Sequence, residues 1–276
     1  MADPFISIIV PTRNRSALLS RLLTSLGALR YPRWEAIVVD DGSVDDTAAV
    51  VERFRARGLP LRYLWQTWRK MGAARNRALA EARGEIVAFT DDDCVVDPDW
   101  LHAIAAAFAA HPAALGVQGK TVTDHAAMTP FTRQVEQLVG GQPYRTCNIA
   151  YRTAVVRELG GFDPHLIRGE DVVMGQRVLE RGPIVFAPAA VVRHPPPAEG
   201  MGGSPRLANL AGERGALQAY LSRLHAGPFA HPLPPETGAC AFPLGAAADP
   251  SVLALALRLF PAPSADLSAA SAAHRR

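Results

Sequence analysis

Cysteine is scarce: Cys94, Cys147 and Cys240 are widely spaced, with no Cys-x-x-Cys pair. A disulfide framework and a cysteine-rich structural zinc site are therefore not expected, and a reducing cytoplasm is the expected compartment. Long apolar runs are also missing. No segment reaches the roughly 18 to 20 apolar residues that span a bilayer. Residues 252–260 are apolar but short and carry Arg258, which reads as a packing helix or as a peripheral membrane contact. The N-terminus enters a strand pattern at once, without the basic stretch, apolar core and small-residue cleavage site of a signal peptide, so none is expected. Charge of one sign is weak too: 29 Lys+Arg against 26 Asp+Glu gives a net charge of +3. That is too dispersed to indicate a nucleic-acid partner, although it suits an anionic small molecule or an acidic membrane surface.

What is present begins with length: 276 residues can bury a full core in one large domain with a smaller appendage. The first half alternates short β-branched runs with helical patterns, the signature of βαβ units in an α/β, mostly parallel sheet flanked by helices. Strands are predicted over residues 6–10, 34–39, 61–65, 86–90 and 117–122. Leu18, Leu19, Leu22, Leu23 and Leu26 recur at helical spacing behind Ser16, a candidate N-cap, and Asp45 or Asp46 is placed to cap the next helix to about residue 57. Further helices are expected over residues 73–82, from Pro98-Asp99 to about 111, over 131–139, and over 171–181, followed by short strands at 184–186 and 190–192. After His194 the composition changes to Pro195-Pro196-Pro197 and a later series of prolines around one helical stretch at 208–225. A boundary near residue 200 is thus expected, with residues 201–276 forming a Pro-rich, partly helical tail that contacts acceptor or membrane.

Ligands of open α/β sheets collect at the carboxyl ends of strands, and the polar clusters fall there. Pro11-Thr12-Arg13-Asn14 follows the first strand, Asp40-Asp41-Gly42-Ser43 the second and Asp91-Asp92-Asp93 the fourth. A Mg²⁺-like ion holding a diphosphate needs one or two carboxylates, and in an extended segment Asp91 and Asp93 share a side, so that one could take the metal while the other orients ribose or water. An acidic turn is the plainer reading. Asp41 can accept a base N–H or close an ordinary turn; Arg13, Arg75 and Arg77 can meet phosphate or remain solvated. In Gly169-Glu170-Asp171 the acids either favour a helix N-terminus or supply a general base, with Asp171 deprotonating an acceptor hydroxyl and Glu170 positioning the acceptor or bracing the loop. His194 is a rim histidine or a neutral imidazole that completes a metal shell.

These clusters, in this order, resemble family 2 of the inverting glycosyltransferases, which have the GT-A fold. The likeness covers about residues 5–195 and rests on residues 7–15, Val39-Asp40-Asp41-Gly42-Ser43, Ala73-Ala74-Arg75-Asn76, Asp91-Asp92-Asp93, Cys147-Asn148-Ile149-Ala150, Gly160-Gly161-Phe162-Asp163 and Gly169-Glu170-Asp171. It implies a Rossmann-like nucleotide-diphospho-sugar fold over residues 1–200 and transfer of a sugar, from a UDP- or dTDP-type donor, to an acceptor hydroxyl with inversion. By the same resemblance Thr12, Arg13 and Asp41 hold the nucleoside, Arg75 lies near base or diphosphate, Asp92 lies by ribose and donor sugar, and Pro11 and Asp91 are expected among the substrate-binding residues. Asp93, joined by His194, binds Mn²⁺ or Mg²⁺, Asp171 is the catalytic base, and Asn148, Gly161 and Glu170 form the acceptor side. The acceptor is a saccharide, a lipid-linked saccharide or a small molecule. The QxxRW motif of the family's processive synthases does not occur, so transfer is expected to be non-processive, by a cytoplasmic protein that is soluble or peripheral at the inner membrane face. The alternative is a catalytically silent nucleotide-sugar binding protein on the same fold.

Overall fold

In the computed structural model, residues 3–123, 135–166 and 168–194 are described. The predicted tail 201–276, with its helix at 208–225 and the apolar stretch 252–260, lies outside them. Strands β1 (Ile6–Thr12), β2 (Trp34–Asp41), β3 (Leu61–Gln66), β4 (Ile86–Phe89), β5 (Val95–Val96), β6 (Gly116–Val122), β7 (Ile149–Arg152) and β8 (Ile184–Arg193) form one sheet ordered β3-β2-β1-β4-β7-β6-β8-β5. The pairs β3–β2, β2–β1, β1–β4 and β6–β8 are parallel; β4–β7, β7–β6 and β8–β5 are antiparallel. The helices are α1 (Ser16–Leu26), α2 (Thr47–Arg55), α3 (Lys70–Glu81), α4 (Trp100–Ala110), α5 (Thr153–Glu158) and α6 (Glu170–Leu179).

The period-2 alternation of the central strands sends side chains into two cores. Ile6, Ile8 and Val10 of β1 join Leu19, Leu22, Leu23 and Leu26 of α1, with Val50, Val51 and Phe54 of α2 and Trp100 and Ile104 of α4. On the opposite face Ile9, Ile37, Val39, Val87 and Phe89 meet Ala74, Ala78 and Leu79 of α3 and Val156, Phe162, Met174 and Val178. Each such fully buried Leu, Ile, Val or Phe contributes about 1.5–3 kcal/mol relative to exposure. Central β1 is buried along its whole length, which is why it reads as a continuous apolar run.

Several expected boundaries shift. Ser16 opens α1, but the residue before it is Arg15 and no side chain of its own caps the helix. Instead Asp45 accepts the Ser16 backbone N–H at 2.9 Å and the Thr47 N–H at 3.1 Å. One carboxylate thus serves the first turns of both α1 and α2. The two strands predicted after residue 183 are one strand, β8, whose pairing with β6 shifts register between Gly119 and Lys120. A Cβ on Gly119 would lie 2.4 Å from the Ala190 carbonyl and the Asn148 amide, so only glycine fits this irregularity. Of the helix predicted over 131–139, residues 131–134 are outside the described set, and 135–139 are not helical: Gln137 bridges Thr121 in antiparallel pairing. Strand β7 and helix α5, both short, were not expected from the sequence pattern. Among the described residues no helix is long and apolar enough to cross a membrane.

Candidate active site

The carboxyl ends of β1, β2 and β4 carry the site, and the loops between them are tied together. Asn14, in the left-handed region at φ 51°, accepts the Val44 N–H through its side chain at 2.8 Å, while its own N–H donates to Ser43 Oγ at 2.9 Å. Asn tolerates that conformation better than most residues. The β1–α1 and β2–α2 loops therefore hold each other.

Asp91-Asp92-Asp93 does not run extended. The Cys94 N–H donates to the Asp91 carbonyl at 3.1 Å, closing a turn, so the expectation that Asp91 and Asp93 share a side is corrected. Asp91 meets Arg75 Nη2 at 3.3 Å. Asp92 and Asp93 instead share one cation: Arg15 Nη1 lies 3.0 Å from Asp92 Oδ1 and 3.1 Å from Asp93 Oδ2. Buried Asp92 also accepts the Thr12 hydroxyl at 2.8 Å. Burial pushes the Asp92 carboxyl up to about 7, aided by the Asp93 charge and opposed by Arg15 and Thr12.

His194 Nε2 stands 3.5 Å from Asp93 Oδ1, and Asp93, Cys94 and His194 offer ligand atoms all within 4.8 Å of one another. The donor set tests the metal expectation. Cys94 is fully buried, which pushes its thiol well above the ordinary range and keeps it protonated. A carboxylate and an imidazole remain, both partly exposed, and with phosphate oxygens and water completing the shell such a set fits Mn²⁺ or Mg²⁺.

Arg75, expected near base or diphosphate, is buried, and its guanidinium is committed to protein carboxylates: Nη1 to Glu170 in a short contact and Nη2 to Asp91. Its plane lies 5.7 Å from the Phe162 ring. Burial opposes its charge, yet Glu170, Asp91 and Asp171 outweigh that and hold its pKa above the ordinary value. Arg77, two positions along α3, is exposed. Because Arg75 spans Asp91 and Glu170, the acidic turn after β4 and the start of α6 meet at one guanidinium. Asp171 follows Glu170 and is half-buried; its carboxylate accepts the Thr146 N–H at 3.4 Å and the Val172 N–H at 2.9 Å.

Asp41, expected to hold the nucleoside, is buried and already engaged. Its oxygens accept Gln66 Nε2 at 2.8 Å, the Arg69 N–H at 2.8 Å and the Lys70 N–H at 2.9 Å, which fastens the start of α3. Asp40 accepts the Tyr63 hydroxyl at 2.6 Å. Pro11 is buried in β1; Arg13 is exposed, its guanidinium 4.8 Å above the Trp68 ring. Trp65 and Trp68 are both more than half exposed at this edge, flat apolar surface suited to stacking.

The residues expected on the acceptor side have structural partners. Asn148 Oδ1 accepts the Trp100 indole N–H at 2.9 Å, and its Nδ2 donates to the Lys120 and Ala190 carbonyls at 3.0 and 2.9 Å. Its amide pins α4, β6 and β8 together. Gly161 adopts φ +75°, and a Cβ there would sit 2.4 Å from Asn76 Oδ1. Asn76 in turn accepts the Phe162 N–H and donates to the Phe162 carbonyl, both at 2.7 Å.

Sequence reasoning missed Arg15 as a site residue, the Arg75–Glu170 pair and Trp68. Arg15 and Asp92 are 77 positions apart and Arg75 and Glu170 are 95 apart, so no local motif reports either pairing. The bare Trp-x-x-Trp at 65–68, unusual at the end of a strand, was the available signal for an aromatic edge.

This arrangement of an acidic turn at a parallel-sheet edge, with a second acidic loop from the antiparallel part, is that of the GT-A glycosyltransferases. The Glycosyl transferase family 2 model matches residues 7–155, and the chain belongs to that family. It is 28% identical over 204 residues to glycosyltransferase AglE of Haloferax volcanii, covering 70% of this chain and 67% of that one. It is 31% identical over 206 residues to the pre-mycofactocin glycosyltransferase of Mycobacterium tuberculosis, covering 68% of this chain but 42% of the relative. Among solved structures, S. aureus TarS 1-349 in complex with UDP-GlcNAc superimposes with TM-score 0.63 at 26% identity, over 79% of this chain and 66% of that one. The matched segment thus spans between two-fifths and two-thirds of these relatives.

Proposed function

We propose that the protein transfers a sugar from a nucleotide-diphosphate donor, of the UDP or dTDP type, to an acceptor hydroxyl in one inverting displacement. The observation that carries this reading is Arg75: by holding Asp91 and Glu170 at once, it brings the donor carboxylates and Asp171 into one site. A donor site alone would serve a binding protein, but a base beside it serves transfer. Family membership and the UDP-GlcNAc complex of the 26% identical TarS support the donor class.

In this reading Asp171 takes the proton of the acceptor hydroxyl as that oxygen attacks the anomeric carbon. Glu170, fixed by Arg75, keeps the start of α6 and therefore Asp171 in place. Asp92, ordered by Thr12, faces ribose and sugar hydroxyls. Asp93 and His194 would hold a Mn²⁺ or Mg²⁺ ion, which when bound stabilises negative charge on the leaving diphosphate. Arg13 and Trp68 make a stacked edge for the base. A single displacement needs no covalent sugar–protein species, and non-processive transfer by a cytoplasmic or membrane-peripheral protein completes the reading.

A thermal-shift panel of nucleotide sugars, each with and without Mn²⁺, tests it. One donor should raise the melting temperature in a Mn²⁺-dependent way, and the gain should vanish with chelator or in Asp93→Ala. If no donor stabilises the protein under either condition, the proposed site is wrong.

A further inference from the structure

We propose that Arg15 is a built-in counter-cation of the donor carboxylates, displaced from Asp93 by the arriving divalent ion and re-used as a ligand for the diphosphate of the donor. The inference rests on the metal-dependent reading above and concerns how metal and donor are coupled.

Three observations carry it. First, a single guanidinium nitrogen, Nη1, bridges Asp92 and Asp93 at 3.0 and 3.1 Å, so Arg15 sits on the carboxylate that the metal needs. Two cations cannot share Asp93 without repulsion. Secondly, the pivot is fixed while the arm is not. The backbone before Arg15 is held by the Asn14 contacts to Ser43 and Val44, and the Arg15 carbonyl accepts the Leu19 N–H at 2.9 Å. The Arg15 side chain, by contrast, is 45% exposed, so the guanidinium can leave the carboxylates without crossing the core. Thirdly, Nε and Nη2 of Arg15 make no hydrogen bond among the described residues, leaving the fork available to an anion with two oxygens in reach, the geometry in which guanidinium binds phosphate best. Asp92 keeps its position through Thr12 when Arg15 turns away. The contrast is Arg75, buried and paired on both sides, which has no room to move.

The consequence is that metal alone binds against a resident cation, whereas metal and a nucleoside diphosphate together give that cation a new partner. Mn²⁺ affinity, read by the loss of free-ion electron paramagnetic resonance signal on chelator-treated full-length protein, tests this with and without UDP. Arg15→Gln should bind Mn²⁺ alone about ten-fold more tightly than wild type, while the enhancement by UDP falls about ten-fold, within the usual range of coupling between sites. A merely structural role for Arg15 would weaken Mn²⁺ binding in the variant. Arg15→Lys, which keeps the charge, should retain the weak wild-type affinity for Mn²⁺ alone. The inference is overturned if Arg15→Gln matches wild type in both measurements, or if Arg15→Lys tightens Mn²⁺ binding as Gln does. Wild-type protein that takes up neither Mn²⁺ nor UDP would instead overturn the metal-dependent reading itself.

Discussion

Along β3, β2, β1 and β4 the strands run parallel, and their carboxyl ends present acids that already have partners: Asp40 with Tyr63, Asp41 with the Arg69 and Lys70 N–H groups, Asp92 with Thr12 and Arg15. Across β7, β6, β8 and β5 the sheet contains antiparallel pairs, and the proposed base, Asp171, receives backbone N–H groups from Thr146 and Val172. The two regions differ in what holds the chemistry. The parallel half fixes its carboxylates through hydroxyl, amide and guanidinium side chains together with main-chain N–H groups, whereas the proposed base is fixed by two main-chain N–H groups at a helix start, beside a Glu170 held by Arg75. The proposed donor edge is therefore held by many contacts, and the proposed base by a few.

Four experiments test that contrast. The largest effect is expected at the proposed base. Asp171→Asn should lower kcat for sugar transfer by about 10²–10⁴-fold while UDP affinity, measured by calorimetry, stays within a factor of two or so; unchanged turnover would remove Asp171 from the mechanism. Next, Glu170→Gln leaves Arg75 buried with half its charge partners gone and should cost about 3–5 kcal/mol in urea unfolding. A double replacement, Arg75→Met with Glu170→Leu, should recover most of that loss, and failure to recover would mean that the pair does more than neutralise itself. Smaller again, Asp93→Ala should abolish the Mn²⁺-dependent part of UDP stabilisation, about 2–3 kcal/mol at a hundred-fold excess over the dissociation constant, and leave chelator-treated stability near wild type.

The fourth measurement is a pH slope. The Asp92 carboxyl, pushed up to about 7 chiefly by burial, holds its proton more tightly in the folded state than in the unfolded chain, where it titrates near about 4. Its contribution to stability is therefore full below about pH 4 and is lost as pH rises through about 7. Chelator-treated wild type should lose stability across that window in urea titrations. Asp92→Asn should flatten the slope, and equal slopes in the two proteins would show that Asp92 does not titrate there.

How legible each half was follows from how local its determinants are. Strands β1, β2 and β4 each carry their own polar cluster in the next few residues, so Thr12, Asp41 and Asp91-Asp92-Asp93 could be placed at one sheet edge from periodicity alone. Strand β7 is four residues and helix α5 six, too short to impose a period. Strand β8 reads as two because Pro188 interrupts it, and the bulge is on β8 itself: Gly119 pairs with Ala187 and Lys120 with Val191, so that Pro188, Ala189 and Ala190 are looped out of the ladder. Side-chain roles were less legible than strand ends. Asn148 stands in a motif that suggests an acceptor contact, yet its amide is used by Trp100, Lys120 and Ala190, and nothing in the neighbouring sequence reports partners that distant. The turn at Asp91–Cys94 likewise reversed the expected grouping of the three aspartates, because one main-chain hydrogen bond outweighs the preference for continuing the strand.

Asp45 touches neither the proposed metal position nor the proposed base, yet it ties Ser16 to Thr47 and so joins the first turns of α1 and α2. The entropic cost of ordering the two loops at the proposed donor edge is thereby met during folding rather than at each encounter with a ligand. Donor capture by this edge should proceed nearly as a rigid-body event, and variation at Asp45, remote from every bond that forms or breaks, should register in association kinetics before it registers in the chemical step.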